Sequence, residues 1–243
     1  MSFGLRIFDA TATDFPLSDY RSSAMAFALA IGTPITYCRR SLACPGWRSA
    51  LQVKSIGVFC GASTGNDSAY AEAGRDLGAM MAERAIRLVF GGGNVGMMGL
   101  VADAVLGAGG EAVGVIPEHL VEREVRHDRL TELHVVDTMH LRKQKMFELS
   151  DAFAVLPGGI GTLDETFEVL TWRQLGLHGK PIVLLSAAGY WHPFQELVDA
   201  IVKAEFAPTA TANLFAVAAS PKELFELLDQ IEPPSLPPDS TRF

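Results

Sequence analysis

Cysteine is scarce in this chain of 243 residues. Cys38, Cys44 and Cys60 are the only three. They are odd in number and lack paired C-x-x-C spacing, which argues against a disulfide framework or a thiolate zinc site and points to a reducing compartment. Positive charge is short as well: 20 Lys and Arg face 28 Asp and Glu, a formal net charge of −8. Without a basic surplus to displace counterions, broad nucleic-acid affinity is not expected. A small anion, which needs only local positive charge, remains open. No apolar run reaches bilayer length, so no membrane partner is expected. An apolar patch at 24–31 follows Asp9, Asp14 and Asp19, where a secretory signal would carry bases. Ser41 stands where a lipoprotein signal ahead of Cys44 would place leucine. His140 has no metal-ligand spacing to another histidine, and no lysine has a recognisable cofactor-binding context. The expectation is a cytoplasmic protein with neither metal nor cofactor.

What the chain does have, from Lys54 onward, is alternation. Short apolar runs at 55–60, 87–90, 112–116, 152–156, 181–185 and 214–218 read as buried strands. Helical patterns stand between them, among them 69–85, 97–106, 140–149 and 166–175. Such alternation predicts an α/β fold: a Rossmann-like, doubly wound, mostly parallel sheet with helices on both faces. Residues 53–231 form this domain. Residues 1–52 lack the alternation and are expected to be a poorly ordered extension, either appended or produced by an upstream start codon. Residues 232–243, rich in proline and acid, are expected to be a loose tail.

Glycine then marks the chemistry. Pro157-Gly158-Gly159-Ile160-Gly161-Thr162-Leu163-Asp164-Glu165 follows one apolar run and precedes a helical pattern. Glycines let backbone amides approach a ligand, and a helix start offers unpaired N–H groups to an anion such as phosphate. Two carboxylates, Asp164 and Glu165, are placed within what reads as the first helical turn. Thr162 and Glu165 have two readings. They can form a capping box, or Glu165 can belong to a site that acts on the ligand.

A second cluster, Gly91-x-Gly93-x-x-Gly96, formally matches the dinucleotide fingerprint. It follows the wrong strand, and the acid that should hold a ribose, Glu111, falls before its strand, which argues against a nicotinamide or flavin. Both clusters, with the turn 61–66, are placed on the carboxyl rim of the sheet, where such folds bind ligands. In Met139-His140-Leu141-Arg142-Lys143, adjacent bases at a helix start oppose the dipole. They are either solvated charge or the cations a phosphate beside two acids requires.

Together these segments resemble the Lonely Guy family of cytokinin-activating phosphoribohydrolases, once mislabelled as lysine decarboxylases. The family's P-G-G-x-G-T-x-x-E pattern is matched by Pro157–Glu165, and its M-H-x-R-K pattern by Met139–Lys143. Gly57–Ser63, Gly91–Gly93, Gly114–Pro117 and Thr171–Gly176 extend the likeness, which runs from Ser55 to about Leu228. The resemblance implies hydrolysis of the N-glycosidic bond of a nucleoside 5′-monophosphate by a homodimer. Carried over by position, it implies Arg142 and Glu165 as the catalytic pair. It implies Glu124, Arg142, Lys143, Gly159, Ile160, Gly161, Thr162, Leu163, Asp164, Glu165 and Thr171 as nucleotide contacts. Asp164 departs from the family's usual glutamate. Cytokinin nucleotides are the expected substrates; a general AMP nucleosidase, or a non-enzymatic carrier of a nucleotide or molybdenum cofactor, is the alternative. The pairing of Glu165 with Arg142 speaks against the carrier.

Overall fold

Runs of branched and aromatic apolar residues, too short for helices and bounded by glycine or proline, become the strands of one sheet. The computed structural model describes residues 53–121 and 126–230. The expectations for 1–52 and 232–243, and for Glu124, lie outside the described residues. The strands are β1 (Ser55–Phe59), β2 (Arg87–Phe90), β3 (Ala112–Pro117), β4 (Glu132–Val136), β5 (Ala152–Val155), β6 (Ile182–Leu185) and β7 (Ala216–Ala218). The helices are α1 (Ser68–Glu83), α2 (Gly96–Gly107), α3 (Met139–Leu149), α4 (Ile160–Gln174), α5 (His192–Lys203) and α6 (Pro221–Gln230). The six expected strands are present, with ends moved by at most two residues. β4 was not expected. It lies at the sheet edge and is only partly buried, so Glu132 and His134 interrupt the apolar signal.

All pairings are parallel, in the order β4-β3-β2-β1-β5-β6-β7. β1 sits centrally, with Ile56 opposite both Leu88 of β2 and Ala152 of β5. Successive strand residues face opposite ways, which splits the core in two. Val58, Leu88 and Phe90 pack with Leu77, Met81, Val101, Val105 and Phe225 from α1, α2 and α6. Phe59, Val89, Phe153 and Val155 pack with Met146, Val169, Phe194 and Val198 from α3, α4 and α5. The doubly wound expectation therefore holds. Each fully buried large apolar side chain stabilises the fold by roughly 1.5–3 kcal/mol.

The order of the strands decides where a ligand goes. Connections from β1 run outward through β2 to β4, then return across β1 to β5. Loops after β1 and β5 consequently part at their carboxyl ends and leave a crevice, the usual ligand position in open α/β sheets.

Candidate active site

The crevice is braced from both sides. Gly61 N donates to Pro157 O (3.1 Å) and Met97 N donates to Gly61 O (3.1 Å), so the loop after β1 is tied to the loop after β5 and to α2. Tyr190 Oη donates to Gly158 O (2.6 Å) and Trp191 Nε1 donates to Val155 O (3.1 Å), fixing the β5 loop from outside. Between these loops lies a cavity of about 280 Å³. Its walls include Cys60 and Ala62 after β1, Gly91 after β2, Met98 of α2, Leu120, Met139 and Arg142 of α3, and Gly159 to Glu165 of the β5–α4 segment in part.

The start of α4 settles one open reading. The helix begins at Ile160, with Gly159 at the N-cap and no side-chain cap, and its first internal bond runs from Leu163 N to Gly159 O (3.1 Å). The amides of Ile160, Gly161 and Thr162 precede that bond, as the first N–H groups of any helix must. Thr162 is therefore the third helical residue, 3% exposed, and not a cap. The capping-box reading of Thr162 and Glu165 does not hold. Asp164 and Glu165 also fall in the second turn, not the first, because the helix starts earlier than the apolar pattern suggested. Their interaction with the helix dipole is correspondingly weaker.

The three glycines divide by role. A Cβ on Gly158 would overlap Thr162 Oγ1 and lie 2.8 Å from Gly61 N, so close packing requires glycine there. A Cβ on Gly159 or Gly161 would meet nothing within 4 Å. Packing makes no demand at these two positions, yet both border the cavity. The space they leave open is beside uncapped amides, where an anionic ligand would be received.

Arg142 and Glu165 line this cavity together. Thr138 caps α3 by accepting from Leu141 N (3.2 Å), which sets Arg142 one turn in. Arg142 and Met146, four apart, form the buried face of α3. The Arg142 side chain is 5% exposed for the residue as a whole, with Nη1 3.8 Å from Met139 Sδ. Both charges act on the partly buried Cys60. Burial pushes its thiol well above the ordinary thiol range, Glu165 adds to the rise and Arg142 opposes it. Cys60 is thus a protonated, neutral part of the wall at neutral pH.

Lys143 has a different position. Its Nζ lies 3.1 Å from Asp164 Oδ2 and 3.2 Å from Glu168 Oε2, joining α3 to α4. Asp164 both borders the cavity and holds this lysine. Leu163 packs inward against the core, Ile160 is 81% exposed, and Thr171 lies on the exposed side of α4 beyond the cavity walls. Glu111 is at the opposite edge of the sheet, its Oε2 accepting from Arg87 Nε (2.9 Å), which agrees with its exclusion as a ribose ligand. The sequence reading missed Cys60, Gly91, Met98 and Leu120 as wall residues. The first three lay within segments it had marked, but nothing in a linear pattern separates cavity wall from core. Among the described residues, no three His, Cys, Asp or Glu are grouped to hold a metal, and no helix is long and apolar enough to cross a membrane.

Residues 98–228 match the family model described as "Possible lysine decarboxylase". The chain is 43% identical over 180 residues to cytokinin riboside 5′-monophosphate phosphoribohydrolase LOG1 of Arabidopsis thaliana, covering 74% of this chain and 84% of that protein. It is 44% identical to LOG7 of the same plant, with 74% and 83% covered. Among solved structures, the Moco carrier protein from Chlamydomonas reinhardtii superposes with a TM-score of 0.56 at 22% identity, covering 72% of this chain and 95% of that one. The molybdenum cofactor binding protein of Rippkaea orientalis gives 0.54 at 22%, covering 72% and 94%. At such identity these two structures speak for the fold alone.

Proposed function

The chain belongs to the Lonely Guy (LOG) family, and on that premise we propose that it hydrolyses the N-glycosidic bond of cytokinin riboside 5′-monophosphates, releasing free base and ribose 5-phosphate. The observation that carries the reading is one cavity holding an uncapped helix start, a buried arginine and a carboxylate. The 5′-phosphate is assigned to the amides of Ile160, Gly161 and Thr162. Gly159 and Gly161 leave room for it, since a Cβ there would project into open space.

In the reaction, water adds to C1′ of the ribose as the bond from C1′ to the base nitrogen breaks. The bonding electrons leave with the base, and a proton from the water compensates them. Positive charge grows on the ribose in the transition state, and the Glu165 carboxylate is assigned to stabilise it. The same carboxylate is suited to orient or deprotonate the water. Arg142 orients the nucleotide with its planar fork and balances charge as the bond breaks. We assign Lys143 to hold α3 against α4, because both its acidic neighbours are on α4. The proposed assembly is a homodimer that covers Leu141, Ile160 and Phe167, which are 41%, 81% and 38% exposed on neighbouring segments. A cytoplasmic location accords with the few cysteines.

The test is base release from isopentenyladenosine monophosphate, AMP and unphosphorylated isopentenyladenosine. The proposal expects the first to be the best substrate and the nucleoside to be very poor. Loss of the phosphate removes charge-assisted bonds that position the reacting centre, so turnover falls along with affinity. Preference for AMP would make the protein a general purine nucleotide hydrolase. Equal rates on nucleoside and nucleotide would overturn the phosphate assignment.

A further inference from the structure

The glycine cluster after β2 remains unexplained by phosphate binding, since the amides assigned to that task belong to α4. Its place in the fold suggests another role. Gly91 is the first residue beyond β2 and borders the cavity beside Arg142. A Cβ built on Gly91 would overlap Arg142 Nη2, and would lie 3.1 Å from Arg142 Cζ and 3.1 Å from Met98 Sδ. The far end of a surface arginine would simply move aside. Arg142 is 5% exposed and its Nη1 lies 3.8 Å from Met139 Sδ, so the open direction left to the guanidinium is into the cavity it borders, the space proposed for the nucleotide. At Gly96, the last glycine of the cluster, φ is +57° and a Cβ would strike the Ala62 carbonyl. The cluster thus also lets α2 meet the loop after β1, which Met97 N bonds through Gly61 O.

We propose that Gly91 is a positioning residue for the Arg142 guanidinium: its missing side chain is the volume in which the arginine is seated. The inference rests on the assignment of Arg142 to the reacting nucleotide. It gives the second glycine cluster a function distinct from dinucleotide recognition, namely shaping the wall against which the catalytic arginine lies. The consequence is specific to the planar group. A displaced guanidinium keeps its charge but loses the direction of its fork, so turnover is affected more than nucleotide affinity.

Four proteins test this: the full chain, Gly91→Ala, Arg142→Lys and the double variant, each measured for kcat and KM of base release and for nucleotide Kd. Gly91→Ala is expected to lower kcat by about 100-fold while Kd changes less than about 5-fold. In the Arg142→Lys background the same substitution is expected to have little further effect, because the group it displaces is gone; non-additivity of this kind reports direct coupling. If Gly91→Ala fails to fold, the double variant is expected to fold, since the lysine has no Nη2 to overlap. Wild-type kcat in Gly91→Ala would overturn the proposal, as would an equal loss in both backgrounds or a double variant that also fails to fold. Failure of the functional reading would look different: the unmodified chain would release no base, while non-additive shifts in melting temperature across the four proteins would still report whether Gly91 seats the arginine.

Discussion

Replacing Lys143 with methionine separates two roles for a residue that the family pattern alone cannot distinguish. Methionine keeps most of the apolar stem and removes the ammonium. In the folded protein the lysine side chain is 17% exposed and Glu168 is 19% exposed, whereas Asp164 is 61% exposed. The Asp164 contact is therefore solvent-screened and contributes little. The loss falls on Glu168, whose carboxylate would remain largely shielded from water without its cation. Breaking a fully buried pair this way costs about 3–5 kcal/mol. Partial exposure reduces that to about 2–3 kcal/mol on the same scale. For a domain of this size the melting temperature should fall by roughly 5–10 °C. Adding Glu168→Gln should recover part of the loss, because it removes the stranded charge.

The pH dependence checks the same assignment. Burial alone would lower the Lys143 pKa, but the hydrogen bonds to Asp164 and Glu168, with their negative charges, outweigh it and leave the folded value above 10.5. A base with a raised folded pKa stabilises fully below its unfolded value, and that contribution is lost as pH climbs through the folded one. The difference in stability between the native chain and Lys143→Met should accordingly be constant up to about pH 10 and shrink above it. Chemical denaturation across pH, with nucleotide titration on the same samples, measures both quantities. Unchanged stability combined with a collapse in nucleotide affinity would refute the bridging role and return Lys143 to the ligand.

Three further outcomes are expected. Glu165→Gln should abolish base release while nucleotide Kd stays within about tenfold, or ~1.4 kcal/mol, as measured by product chromatography and calorimetry; retained turnover would remove Glu165 from the chemistry. His178 accepts from Lys180 N at Nδ1 (3.1 Å), so its Nε2 carries the proton that it donates to Val169 O (2.9 Å), and burial lowers its pKa below 6.5. Its contribution is present above pH 6.5 and lost as pH falls through the lowered folded value; His178→Asn should flatten that acid limb in urea titrations. Light scattering should give the mass of a dimer, and Phe167→Glu, placed on the exposed side of α4, should shift it toward monomer; a monomeric native chain would count against the proposed interface.

The sequence was most legible where burial is complete. β2 and β5 are apolar throughout or nearly so, and their limits follow from that. β4 was hidden because an edge strand need bury only part of its surface, and its Glu132 and His134 read as connection. The start of α4 was misplaced for a related reason. Ile160, Gly161 and Thr162 carry no helical apolar pattern, since Ile160 is exposed and Gly161 and Thr162 line the cavity. A helix start that a ligand must reach is one whose residues are released from packing, and packing is what periodicity detects.

That displacement has chemical consequences. Had α4 begun after Thr162, Glu165 would have been close to the helix start and engaged with backbone amides, with little freedom to act on a ligand. With the helix beginning at Ile160, Gly161 and Thr162 of its first turn and Glu165 of its second line the same cavity. In the proposed reading, anion recognition and the carboxylate are thereby separated along one helix, with Arg142 lining the same cavity from α3. A nucleotide held by its phosphate at the amides presents its ribose, not its phosphate, to the region of Glu165. On that reading the separation allows two negative groups, substrate phosphate and carboxylate, to occupy one cavity, because each is assigned its own compensation: helix amides for the first and the arginine lining the same cavity for the second.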